Sequence, residues 1–114
     1  MRSVLCTSAE LAENGEKGIS LYHADEQIVL LIRREGQVYA YRNHCPHTGV
    51  ELNWQPDQFL DNEGFYIQCS VHGAKFEVET GLCVSGPCAD QSLLPVSVEE
   101  VDGNICTSES LQEF

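Results

Sequence analysis

Apolar and polar residues alternate with a period of two through most of this chain, and turn signals interrupt the alternation every eight to twelve residues. That pattern buries one face of each extended segment and leaves the other in water, so it suits antiparallel strands and leaves little room for helix. Residues 26–34 and 37–42 are rich in β-branched and aromatic side chains and flank Glu35-Gly36, a two-residue hairpin connection. A strand is expected over 65–68, after Asp61-Asn62-Glu63-Gly64. Two more hairpins are expected, 75–78 with 82–84 across Glu79-Thr80-Gly81, and 94–101 with 105–107 across Asp102-Gly103-Asn104. Residues 9–16 offer one helical turn or a loop, and 108–114 read as a frayed tail. The expected fold class is all-β, a small antiparallel sandwich or barrel. With 114 residues the chain would bury roughly two-thirds of its unfolded surface. One core follows, and a single domain over 1–114.

Charge narrows the function. Six Lys and Arg stand against eighteen Asp and Glu, a net charge of -12, which argues against nucleic acid as a partner. Phosphate-cradling loops of the GxxxxGK or GxGxxG type are missing, so nucleotide-driven chemistry is not expected. No apolar run approaches the ~20 residues of a membrane helix, and Met1 to Glu10 turn polar too early for a secretory leader. A cytoplasmic, monomeric protein that does not use a membrane is expected. The negative surface either draws partners with a basic face or simply keeps the chain soluble.

Two stretches break the alternation, 43–55 and 69–73, and a third, 85–88, follows closely. The first carries Cys45-Pro46-His47 and the second Cys69-Ser70-Val71-His72, with residues 48–68 between the pairs. Each loop thus offers one thiolate and one imidazole. Pro46 holds its own φ and pushes Cys45 toward extended backbone, so side chains 45 and 47 can lean to one side. Thr48-Gly49 and Gly73 are expected to bring backbone N–H groups close to whatever is bound. Two Cys and two His are also a tetrahedral zinc set, although common zinc modules pair like with like along the chain.

Cys-x-His, a gap of this length, then Cys-x-x-His, with a glycine after each histidine, resembles a Rieske iron–sulfur domain. The resemblance covers roughly residues 26–106, with the first twenty-five residues matching only loosely, and Gly86-Pro87 looks like the family's proline loop. It implies a cluster-binding loop subdomain within 43–90 on the β base, and one [2Fe-2S] cluster per chain. Carried over residue by residue, Cys45 and Cys69 would bind one iron and His47 and His72 the other. The family's respiratory members have a disulfide between the two loops, at positions matched here by Val50 and Val71. They also place hydroxyls beside the cluster sulfurs where this chain has Ala74 and Phe76. Without those donors the reduced state is less stabilised, and a potential toward the low end of about -150 to +300 mV is expected. Exposed imidazole ligands would make that potential fall at alkaline pH.

The resemblance implies a one-electron carrier between a flavin reductase and an oxygenase or other reductase component, docking through the cluster tip. It would be an electron-transfer component of an oxidoreductase system and not a catalyst on its own, since no His/His/carboxylate triad for mononuclear iron follows. A small Rieske-like subunit of a nitrite reductase is the alternative, and a redox or iron sensor a third. Charges thin out around 45–49, 69–73 and 86–88, while acids crowd 9–16, 57–63 and 99–102, which suits either docking or plain solvated turns. Cys6, Cys83, Cys88 and Cys106 are expected as thiols. His44 is expected at the surface or behind the site, and His23 has no assigned role. Leu52, Trp54, Tyr39 and Tyr41 read as packing.

Overall fold

A computed structural model describes residues 3–20, 27–46, 51–53, 55–70, 73–86 and 91–109. The strands are β1 (Ser3–Thr7), β2 (Glu16–Ser20), β3 (Gln27–Arg34), β4 (Gln37–Arg42), β5 (Tyr66–Gln68), β6 (Lys75–Glu77), β7 (Cys83–Ser85), β8 (Val98–Val101) and β9 (Asn104–Thr107), with one 3₁₀ turn at Ser8–Glu10. They form three antiparallel sheets of three strands, ordered β1-β9-β8, β2-β3-β4 and β5-β6-β7.

β3 explains how the sheets stack. Val29, Leu30, Leu31 and Ile32 are all fully buried, a run that departs from the alternation elsewhere. Successive side chains of a strand point to opposite faces, so a continuous apolar run needs cover on both sides. Val29 and Leu31 pack with Cys6, Leu11, Ile19, Val96 and Ile105 toward the β1-β9-β8 sheet. Leu30 and Ile32 pack with Phe59, Ile67 and Phe76 toward the β5-β6-β7 sheet. The middle sheet therefore belongs to the base on one face and to the loop subdomain on the other.

The hairpins follow from backbone chemistry. Glu35 (φ 52) and Gly36 (φ 76) both occupy the left-handed region, as a two-residue turn between twisted strands requires. Glu13 holds that turn by accepting the N–H groups of Glu35 at 2.7 Å and Gly36 at 3.0 Å. The last hairpin turns in the same way on Asp102 (φ 51) and Gly103 (φ 81). Asn104, expected above as part of the turn, instead opens β9 opposite Val101.

Two expectations need correction. The strand expected over 94–101 begins only at Val98. Residues 94–96 instead run along β4, where Arg42 N–H donates to Leu94 O and Val96 N–H to Ala40 O, each at 2.9 Å. Pro95, which has no N–H to give, sits between those bonds. The first twenty-five residues are also more integral than their loose resemblance suggested. β1 pairs with β9, and β2 runs along β3 from Glu16 opposite Ile32 to Ser20 opposite Gln27.

Candidate metal centre

Cys45 lies three residues beyond β4, and Cys69 directly follows β5. Each is 1% exposed, and both belong to the packed group that includes Leu52, Ala74, Phe76 and Cys83. The fold thus brings the two predicted thiols of separate loops into one apolar setting. His47 and His72 lie outside the described residues, as do His23, Thr48, Gly49, Val50, Trp54, Val71, Pro87 and Cys88. Among the described residues, no three His, Cys, Asp or Glu side chains form a metal-sized group.

The second loop is closed by its own backbone. Cys69 N–H donates to Ala74 O at 2.8 Å, and Gly73 N–H returns to Cys69 O at 3.0 Å. Gly73 has φ +69, which glycine adopts without a side-chain penalty. Its N–H is engaged inside the turn, which corrects the expectation that Gly73 would direct that donor at a bound group. Ala74 and Phe76 are fully buried and bring no side-chain donor of their own.

The first loop is closed by a side chain. Asn43, 7% exposed, donates from Nδ2 to Gln27 O and to Asn53 Oδ1, and its Oδ1 accepts Leu52 N–H, each at 2.7 Å. Leu52 O then accepts Ser70 N–H of the second loop at 2.9 Å. The third irregular stretch comes against the second loop at Gly86. Its φ is +104, and a Cβ there would lie 2.7 Å from Ala74 Cα. Only a glycine allows that approach, which is where the proline loop was expected.

Two soft sulfur donors, drawn from different loops and kept from water, fit an iron–sulfur group better than a hard cation that wants oxygen. A shallow cavity of about 260 Å³, lined by Leu60, Asn62, Gln68, Cys69, Ser70 and Gly73, opens beside Cys69. No disulfide joins the described cysteines Cys6, Cys45, Cys69, Cys83 and Cys106, and all five are buried. Burial, reinforced by nearby Glu10, pushes the Cys6 thiol above its ordinary value, so it stays protonated and inert. His44 is exposed and its N–H turns back to Arg42 O at 2.9 Å, as expected of a surface residue. Leu52 is fully buried packing. Tyr41 is packing too, although its hydroxyl also donates to Val78 O at 2.6 Å, a tie from the middle sheet to the loop subdomain.

The acids expected to ring the site as solvated or docking groups are in part structural. Glu16 Oε1 accepts the N–H groups of Phe59 and Leu60. Asp57 Oδ1 accepts Gly18 N–H at 2.7 Å and the Gln27 amide at 3.0 Å. Asp61 takes Phe65 N–H at 3.0 Å and pairs with Lys75 at 3.3 Å. Burial alone would raise the Asp61 pKa, but the backbone donors of Tyr66 and Phe65, with Lys75, outweigh it and hold the carboxyl below its ordinary value. Arg33 pairs with Glu100 at 2.6 Å and Lys17 with Glu10 at 3.6 Å. Asn43 and Glu16 carried no recognisable signal in the sequence, since one polar residue between an apolar strand and a loop looks like any other.

A family model described as the Rieske [2Fe-2S] domain matches residues 1–107. The chain is 38% identical over 92 residues to a cholesterol 7-desaturase of Caenorhabditis elegans, a match covering 80% of this chain but only 20% of that relative's length. It is 30% identical over 100 residues to the ferredoxin component of a naphthalene 1,2-dioxygenase system of Pseudomonas aeruginosa, covering 78% of this chain and 91% of the relative. Among solved structures, a chain in the complex of reduced oxygenase and oxidized ferredoxin in carbazole 1,9a-dioxygenase superposes with a TM-score of 0.71 at 25% identity. That match covers 93% of this chain and 91% of the other.

Proposed function

The chain belongs to the Rieske [2Fe-2S] family, and on that footing we propose that it is a ferredoxin passing single electrons from a flavin reductase to a terminal oxygenase. The supporting observation is that Cys45 and Cys69, two buried thiols on separate loops, belong to one packed group. The near full-length match to a dioxygenase ferredoxin component supports the carrier role, whereas the desaturase is matched over a fifth of its length. Cys45 and Cys69 are the ligands of one iron, and His47 and His72 those of the other. The four come from a single domain over 1–114, with the loops within 43–90.

A bound [2Fe-2S] cluster supplies a centre that gains or loses one electron. The protein's part is to hold that centre still and dry. The thiols of Cys45 and Cys69 enter from apolar surroundings in which an unpaired thiolate would be costly, so metal binding and loop order support each other. Ala74 and Phe76 add no hydroxyl toward sulfur, which favours a low potential. No helix among the described residues is long and apolar enough to cross a membrane. We place the carrier in the cytoplasm as a monomer, with a reductase and an oxygenase component as its partners.

Purified protein should be red-brown and contain near-equal iron and acid-labile sulfide. After dithionite, its electron-spin resonance should have the low average g of imidazole-bound iron. With a flavin reductase and NADH it should relay electrons to cytochrome c, and Cys45→Ser should abolish both the colour and the relay. A colourless, zinc-loaded protein, or a coloured one that relays no electrons, would overturn the reading.

A further inference from the structure

The geometry points to Asn43 as a positioning residue that sets the spacing between the two cluster-binding loops, an inference that rests on the Rieske reading above. Three of the four hydrogen bonds its side-chain amide can make are formed, including both donors. Nδ2 has two acceptors, Gln27 O and Asn53 Oδ1, and Oδ1 has one donor, Leu52 N–H. Turning the amide over would aim oxygen at two oxygens and nitrogen at an N–H, so the network allows one orientation. The backbone is held as well, since Asn43 N–H donates to Ile28 O at 2.9 Å.

These bonds form a chain between the base and both loops. β3 contributes Gln27 O and Ile28 O, which anchor Asn43 to the middle sheet. Asn43 then joins the two ends of the first loop, residue 43 to residues 52 and 53, around Cys45. Leu52 passes the constraint on through its O to Ser70 N–H, one residue beyond Cys69. Leu52 itself is fully buried in the packed group that holds both cysteines. The positions of Cys45 and Cys69 are therefore linked through one amide, and losing it frees the closure of the first loop and its register against the second. Asn43 does not touch the metal by this account. It acts through Leu52 and Ser70.

Partners that orient metal ligands typically contribute 10–100-fold to metal affinity. Asn43→Ala should therefore speed iron release to a chelator about 10-fold or more. It should also broaden the visible circular dichroism of the protein as purified and its electron-spin resonance after dithionite. Asn53→Ala, which removes one acceptor and leaves Leu52 N–H bonded, should have a smaller effect of the same kind. Tyr41→Phe serves as the stability control, because it also removes a buried hydrogen bond but lies outside this chain of contacts. If Asn43→Ala fails to fold, Asn53→Ala decides the matter against Tyr41→Phe. Release rates and spectra no different from those of Tyr41→Phe, at matched loss of stability, would overturn the role of Asn43. Wild-type protein without an imidazole-type signal would instead overturn the Rieske reading, so the two failures are distinguishable.

Discussion

Replacing Tyr41 by Phe removes one oxygen from the junction between the middle sheet and the loop subdomain. The hydroxyl donates to Val78 O at 2.6 Å, Tyr41 is 4% exposed and Val78 is fully buried. Water has no easy access to the carbonyl left behind, so the cost should be that of an unsatisfied buried acceptor, about 1–3 kcal/mol. Ionisation adds a separate dependence on pH. Burial, reinforced by Glu79, Tyr39 and Glu77, pushes the Tyr41 pKa up from 10.0 to about 12. Two units correspond to about 3 kcal/mol. Because the folded-state value lies above the unfolded one, the wild type keeps its full stability below pH 10 and loses about that much as pH rises through about 12, a loss that Tyr41→Phe, having no phenol there, does not share. Guanidinium unfolding of wild type and Tyr41→Phe at neutral pH should show the difference, and a series toward pH 12 should show it shrinking. Equal midpoints at neutral pH, or a gap that does not change up to pH 12, would refute the reasoning.

Gly86→Ala should cost about 1–3 kcal/mol in the same assay, because its Cβ would meet Ala74 Cα at 2.7 Å. Gly64→Ala, with nothing within 4 Å, should cost only the left-handed backbone penalty of about 1–2 kcal/mol. Glu16→Ala leaves Phe59 and Leu60 N–H without their acceptor and should lower stability by about 1.5–3 kcal/mol, whereas exposed Glu63→Ala should stay within about 0.5 kcal/mol. The hydrogen bond from Arg33 depresses the Glu100 pKa to about 2. That contribution is present above the ordinary carboxylate range and lost as pH falls toward 2, so acid titration should bring wild type and Glu100→Gln together. Ala74→Ser should raise the midpoint potential measured by voltammetry, since it offers a hydroxyl at the position that the family resemblance places near sulfur. An unchanged potential would argue against a site bordered by Ala74.

Much of this protein is legible locally. The paired positive-φ residues Glu35-Gly36 and Asp102-Gly103 sit where turn chemistry places them, because a two-residue hairpin demands them whatever packs nearby. The Cys-x-His and Cys-x-x-His spacings likewise stand out without any fold, since few other structures use those donors in that order. Tertiary structure decided what depends on residues distant in sequence. Val29 to Ile32 read as an apolar strand, but only the stacking of three sheets shows that its two faces serve different cores. Gly73 looks like a donor to the site until Cys69 O is seen to take its N–H. Glu16 and Asp57 look like solvated acids until residues about forty positions away supply the N–H groups they cap. Asn43 has no local signature at all. Its role arises because Gln27, Leu52 and Asn53 meet around one amide, and hydrogen bonds between distant segments form only once the chain has folded to bring them within reach.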